Sequence, residues 1–395
     1  MVIYKETLSV INAWLHDRPL PAIVDVERLF SFMREHGVSN ILYLVLKREK
    51  DRSGDKALPE NISNELFLKI KKQYQANLHQ QISQEFFAEE LFARLREKKI
   101  RFMPLKGYFL KKCYPSSDGR TSCDVDVYYD DSKKEDVNQI MRELGFELTI
   151  PSDHDDGWTQ GSVTIEMHFS LMDHYSVYVD YYKNVWERLV SEDGVEYAFT
   201  TEDFYVYFLM HVAKHFYHSG LGVRFILDLY LFRKAYPVLN EEYLQKELEK
   251  LDLVTFKEKL EELAQVWFGD KKETEDSQKI GEFVFECGLY GKETNQTFSV
   301  TNAGEASNGE KKVKRKFIIR TIFPPIQSLK RQYPSLEKHP ILLPFVWVIR
   351  WFKVLFFRRE KIKKQINVYR SIEDEKIQKR YAVMNAVGLK EERNE

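Results

Sequence analysis

The sequence predicts an α+β fold: a small mixed β-sheet with its own helices, embedded between larger α-helical regions. Three observations carry this. Apolar residues recur at three- and four-residue steps over the first hundred residues, the spacing of one helix face. Between residues 100 and 171 the pattern changes to short alternating runs separated by turn residues, as strands require. Beyond that stretch helical periodicity returns. The chain therefore divides into an N-terminal helical region (1–98), an α/β core (99–172), a helical domain (173–290), an exposed loop (291–316) and a C-terminal helical segment (317–395).

Taken in order, the first strong element is a long amphipathic helix at about residues 61–98, whose apolar positions run from Leu66, Leu68 and Ile70 through Tyr74, Leu78 and Ile82 to Phe86, Leu91 and Leu95. The charged, turn-rich KREKDRSGDKALP ahead of it reads as a loop. IRFMPL then reads as a short buried strand, GYFLKKCY as two turns of helix, and SCDVDVYY as a strand with alternating faces. KKEDVNQIMRELGF is a helix closed by Gly145, a residue suited to the left-handed position after a helix end. FELTI and VTIEMHFSL follow as strands, with PSDHDDGWTQGS between them as a polar loop. DYYKNVWERLV, TEDFYVYFLMHVAKHFYH and GVRFILDLYLFRKAY are expected helices, the second with Thr201 as N-cap followed by acids that suit the helix dipole. TNQTFSVTNAGEASNGEKKVKRK reads as a long exposed loop.

The bulk numbers narrow the function. With 395 residues, 43% of them hydrophobic, the chain can bury a large core and is not globally disordered. Sixty Lys and Arg nearly cancel 61 Asp and Glu, so no overall field draws it to nucleic acid. Three cysteines without CxxC spacing argue against a disulfide framework or a structural zinc site and suit a reducing cytoplasm. The amino terminus has no signal-peptide pattern. The longest apolar run, ILLPFVWVIRWFKVLFF, is broken by Arg350 and Lys353 and falls short of the roughly 20 apolar residues that span a bilayer. A buried or interfacial helix is expected there. The basic RREKIKK after it could touch an anionic membrane surface, or be a solvated helix end.

The chemistry centres on CDVDVYY. Alternation puts Asp124 and Asp126 on one face and Val125 and Val127 on the other, toward a core. Two carboxylates so close repel unless a cation relieves them, and Mg²⁺, or Mn²⁺, is the natural partner through oxygen ligands. In VTIEMHF, Glu166 and His168 share one face of a neighbouring strand, so Glu166 is a third candidate ligand. The plain alternative is a charged, solvent-facing edge strand.

The ordered set of apolar strand, LKG, helix, Arg120, DVD strand and later acid resembles the polymerase-β-like nucleotidyltransferase superfamily. It is most similar to the bacterial branch in which Lys-Gly stands where better-known members carry Gly-Ser. The matching residues are Lys106, Gly107, Arg120, Asp124, Asp126 and Glu166, over roughly residues 82–236, with a looser echo in FPP, RQYP and the tryptophan-bearing C-terminal helix. The resemblance implies an α+β nucleotidyltransferase-type core in which Asp124, Asp126 and Glu166 hold two metals. Gly107 would then open a helix facing the triphosphate, with Lys106 adding charge for phosphate. Arg120 would contact phosphate or support the ligand residues from behind, or pair with a loop acid such as Asp118. His168 and His215 are further candidates for the nucleotide site. His211 and His215 lie four apart on one helix face without the glutamate a zincin needs, so a packed face with one histidine near the cleft, oriented by Asp228, is expected.

Three functions follow. The first is a metal-dependent enzyme that moves a nucleoside monophosphate from an NTP such as ATP to a hydroxyl of a small molecule, sugar or protein. The second is a glycosyltransferase holding a nucleotide-sugar through its Asp-x-Asp, against which the helical stretch ahead of the motif counts. The third is a non-catalytic interaction protein that kept the fold, against which retention of all three acids counts.

Overall fold

A computed structural model describes residues 2–53, 61–152, 154–172, 178–289, 309–326, 329, 333, 335–357, 369 and 373–389. Three helices lead: α1 (Val2–Leu15), α2 (Val26–Glu35) and α3 (Ser39–Ser53). The helix α3 enters the charged stretch expected to be a loop, because its last turn carries Lys50 and Arg52, which suit a helix C-terminus. Arg52 and Arg48 both reach Asp17. The long helix α4 spans Asn64–Glu97 and is capped by Ser63, whose side chain accepts from the Leu66 N–H. Its periodicity is correct, but not every apolar position is core. Leu68, Ile82 and Phe86 are exposed, whereas Gln81 and Gln84 are buried.

The sheet has five strands in the order β1-β2-β5-β4-β3, with β1 Phe102–Pro104, β2 Val125–Tyr129, β3 Glu147–Pro151, β4 Asp155–Gln160 and β5 Val163–His168. Only β2 and β5 run parallel; the other pairs are antiparallel. The polar stretch expected as a loop thus holds a whole strand. Its Gln160 pairs with Val163 across the two-residue turn Gly161-Ser162, and Gly161 takes φ +58°. A β-branched side chain pays for that left-handed backbone, so Gly161→Val is expected to cost about 1–2 kcal/mol in a urea melt. Short helices α5 (Lys106–Lys111) and α6 (Lys134–Glu143) complete the core module, and Gly145 follows α6 at φ +83° as expected.

One sheet face packs Val127, Ile165, Met167 and Trp158 against Leu91, Phe92 and Leu95 of α4 and Val137, Ile140 and Met141 of α6. Across the cavity the other face meets the helices α7 (Thr201–His218) and α8 (Val223–Ala235); α9 (Glu241–Lys250) packs on α7, α10 (Val254–Phe268) on α8, and α11 (Glu275–Cys287) on α10. Those helices share one core with α1 to α3, so both helical regions close on the same apolar interior. The stretch 180–190 is not the expected helix. It forms two 3₁₀ turns and then β6 (Leu189–Val190), which pairs with β7 (Ala198–Phe199). Arg188 explains part of this: it leaves the segment to pair with Glu247 and Asp203.

Toward the C-terminus, residues 309–316 belong to the helix Gly309–Ile322 rather than to the expected loop; residues 290–308 lie outside the described residues. The aromatic run forms the helix Leu343–Phe357, with the Trp347 and Trp351 indoles donating to the Pro324 and Ile322 carbonyls. The basic residues 358–364 lie outside the described residues. No described helix is long and apolar enough to cross a membrane.

Candidate active site

The parallel pairing of β2 with β5 sets Asp126 directly beside Glu166, and Tyr128 beside His168. Because side chains alternate along a strand, Val127 and Met167 go into the core beneath while the acids face the helices. Asp126, Glu166 and His168 can each bring one ligand atom within 4.8 Å of the others. Asp124 lies one residue ahead of β2, not within it, and reaches the same cavity from the loop. The cavity holds about 250 Å³. Every site residue expected from sequence, Lys106, Gly107, Arg120, Asp124, Asp126, Glu166, His168 and His215, lines it.

Charge in this cavity is tightly paired. Lys106 Nζ lies 3.3 Å from Asp126 Oδ2 and 3.5 Å from His211 Nδ1. The lysine expected at phosphate is thus engaged with an acid. His168 Nε2 is 3.1 Å from Asp126 Oδ1 and 3.6 Å from Glu166 Oε2. Burial would raise the Asp126 carboxyl, but Lys106 and the His168 hydrogen bond outweigh it and hold it below the usual carboxylate range. Asp124 moves the other way: burial, then the neighbouring Asp126, push it up to about 6. Burial alone would lower His168, yet its bonds to Asp126 and Glu166 raise it to about 9. His215 falls to about 3 through burial and then the Lys106 charge, and His211 is lowered by the same causes, so both imidazoles are neutral. Both line the cavity, where only one was expected to.

These shifts fix a pH dependence. A histidine raised from 6.5 to about 9 on folding stabilises the protein fully below pH 6.5, and that stability is lost as pH rises through 9. In chelator, Tm is expected to fall between pH 6.5 and 9, and His168→Gln should flatten that limb in a calorimetric pH series.

Arg120 and Asp228 correct two expectations. The guanidinium pairs with neither Asp118 nor open solvent; its Nε and Nη2 donate to Asp228 Oδ1 and Oδ2 at 2.9 and 3.1 Å, and both residues are buried. Asp118 instead accepts from the Tyr74 and Ser116 hydroxyls. Asp228 also accepts from the Tyr114 hydroxyl at 2.6 Å, so it orients the arginine rather than a histidine. Gly107 is not required by space, since a Cβ there would sit 3.7 Å from Arg120 Nη1 and Ser122 Oγ. Ser122 therefore brings a hydroxyl beside the Lys-Gly pair, which has none of its own; it donates to the Asp124 carbonyl at 2.9 Å.

Other lining residues had no sequence signal, among them Ser122, His154, Asp155, Tyr207, Lys214 and Arg224. Arg224 donates to the Thr121 carbonyl at 2.7 Å and holds the loop that carries Asp124. Gln81 of α4 does the same from the opposite side, donating to the Arg120 carbonyl at 2.6 Å. A glutamine on an apolar helix face was the available clue.

No curated protein and no solved structure matches the chain. A family described as an uncharacterised nucleotidyltransferase matches residues 23–269, well beyond the 82–236 stretch that carried the sequence resemblance. That match spans the sheet, the acids on β2 and β5 and the helices that close the cavity over them, and the chain belongs to this nucleotidyltransferase family.

Proposed function

We propose that this cavity transfers a nucleoside monophosphate from an NTP to a hydroxyl acceptor on a small molecule, sugar or protein, in the manner of polymerase-β-like enzymes. The observation that carries the reading is the parallel register that sets Asp126 against Glu166, with Asp124 entering the same cavity. The donors fit Mg²⁺ or Mn²⁺. Three carboxylates converge on the cavity, and although Lys106 and His168 already pair with Asp126, burial and the Asp126 charge still push Asp124 up to about 6, the sign of a carboxylate that a bound cation would relieve. Asp124, Asp126 and Glu166 would hold the ion, which when bound neutralises phosphate charge and eases ionisation of the acceptor hydroxyl.

The chain's own residues do the rest. Glu166, the most exposed of the acids in the strand pair with a side chain 32% accessible, is placed to take the proton as the acceptor oxygen bonds to the α-phosphorus. The bond from that phosphorus to the bridging oxygen breaks, and pyrophosphate leaves. Lys106, Lys214 and Arg224 supply cationic side chains around the phosphates. A cavity of about 250 Å³ encloses the charged end of a nucleotide and leaves base and acceptor toward its mouth. Among the described residues only the three-residue β1 precedes β2 in the sheet, which counts against the long nucleotide-binding α/β region that a nucleotide-sugar transferase uses. Pyrophosphate release from an NTP, dependent on Mg²⁺ or Mn²⁺ and lost in the Asp124→Asn, Asp126→Asn double variant, tests the reading; metal-independent release, or equal release by the variant, refutes it.

A peripheral membrane contact belongs to the same proposal. Phe345, Val348, Ile349 and Phe352 lie on one face of the Leu343–Phe357 helix and are exposed, beside exposed Ile318 and Ile322. Lys314, Arg315 and Arg320 of the neighbouring helix give that surface a cationic border, which suits an anionic bilayer. Flotation with phosphatidylserine vesicles is expected to carry the protein, and Phe345→Ser with Phe352→Ser to abolish it; equal flotation with neutral phosphatidylcholine or by the double variant contradicts it.

A further inference from the structure

The segment 151–162 contributes two side chains to the cavity that the nucleotidyl-transfer scheme does not use. His154 and Asp155 stand at the start of β4, and Asp155 is the cross-strand partner of His168. His154, Asp155 and His168 can each bring one ligand atom within 4.8 Å of the others. His154 Nδ1 is 3.1 Å from Ser152 Oγ, and its Nε2 turns toward Asp155, 3.9 Å from Oδ1.

His168 supplies the deciding observation. Its Nε2 is engaged by Asp126, while its Nδ1 has no hydrogen-bond partner among the described residues, although the residue is only 7% exposed. A buried nitrogen left without a partner is costly and uncommon. A carboxylate on the far nitrogen is how metal-binding histidines are held: it fixes the proton there, and an ion arriving at the other nitrogen displaces the proton that nitrogen carries in the metal-free protein.

We propose that His154 Nε2, the Asp155 carboxylate and His168 Nδ1 form a site for a borderline divalent transition ion of the zinc type, separate from the Asp124, Asp126 and Glu166 group. Two imidazoles and one carboxylate favour such an ion over Mg²⁺, which takes oxygen donors. Three protein ligands leave a coordination position for water or a substrate oxygen. All three residues line the cavity, so that position is accessible to a ligand that enters it. Asp126 then serves both groups, through Oδ1 to the His168 ring and through Oδ2 to the acid cluster.

The test titrates Co²⁺ into the metal-stripped, untagged full chain under excess Mg²⁺, which occupies the oxygen-donor group, and follows the visible d–d absorption. One Co²⁺ per chain is expected, displaced by Zn²⁺ with loss of the bands. His154→Ala and Asp155→Asn should each weaken binding at least about 100-fold, while Asp124→Asn leaves it unchanged; far-ultraviolet circular dichroism confirms that each variant is folded, and His154→Gln replaces His154→Ala if that one is not. Unchanged affinity in both His154 and Asp155 variants overturns the proposal. So does Co²⁺ binding that Mg²⁺ abolishes or that Asp124→Asn removes, because the ion would then belong to the acid group. Pyrophosphate release by Asp124→Asn reports on nucleotidyl transfer alone, and Co²⁺ affinity in His154→Ala on this site alone.

Discussion

Asp126→Asn is expected to lower kcat for nucleotidyl transfer by at least about 10³-fold, the scale on which a single group acting on developing charge contributes. Asp126 joins three of the site's charged groups: Oδ2 faces Lys106 at 3.3 Å, Oδ1 faces His168 at 3.1 Å, and Glu166 is its strand partner. Asparagine keeps the shape and removes the charge. Two cations then face each other across a neutral amide, so the variant should also lose stability, by up to the roughly 3–5 kcal/mol that breaking a buried ion pair costs. Measuring turnover well below the variant's Tm separates the two effects. A folded Asp126→Asn protein with turnover within tenfold of the parent would remove this carboxylate from the chemistry.

Arg120→Ala is expected to produce the largest stability loss, about 3–5 kcal/mol in urea, because among the described residues it leaves the fully buried Asp228 with only the Tyr114 hydroxyl. Arg120→Lys should recover little, since an ammonium cannot reproduce the two-pronged contact at 2.9 and 3.1 Å. Replacing both partners, Arg120→Met with Asp228→Leu, should recover most of the loss, because no charge is then buried alone. The ion pair ties the loop that leads to Asp124 onto α8. Turnover of the double variant should therefore stay below the parent even where stability is restored, by roughly the 10–100-fold typical of groups that orient a ligand set.

Much of the site could be read from the chain because its parts are local. Asp126 and Glu166 each sit in an alternating strand whose apolar partners, Val127 and Met167, disclose which face is buried. The mixed α+β class follows from the same change of period. What could not be read is set by long-range contacts. Arg120 and Asp228 are 108 residues apart, and no pattern near either announces the other. Gln81 and Gln84 interrupt an apolar stripe because they serve the backbone of Arg120 and Ser122. The strand β4 was hidden by its chemistry: Asp155 faces the cavity, Asp156 pairs with Lys134 at 2.7 Å, and only Trp158 is an apolar residue facing the core. The Gly161-Ser162 turn was the one signal that DDGWTQ pairs with VTIEMH as a hairpin.

Attack at the α-phosphorus, directed by Asp124, Asp126 and Glu166, is tested most directly with NTP labelled at either the α or the γ phosphate, Mg²⁺ or Mn²⁺ and a panel of hydroxyl-bearing small molecules, sugars and proteins, beside the Asp124→Asn, Asp126→Asn double variant. The expected result is α-label on the acceptor, γ-label only in released pyrophosphate, and neither with the variant. Transfer of the γ-label to the acceptor, or α-label transfer that survives the double substitution, would contradict it.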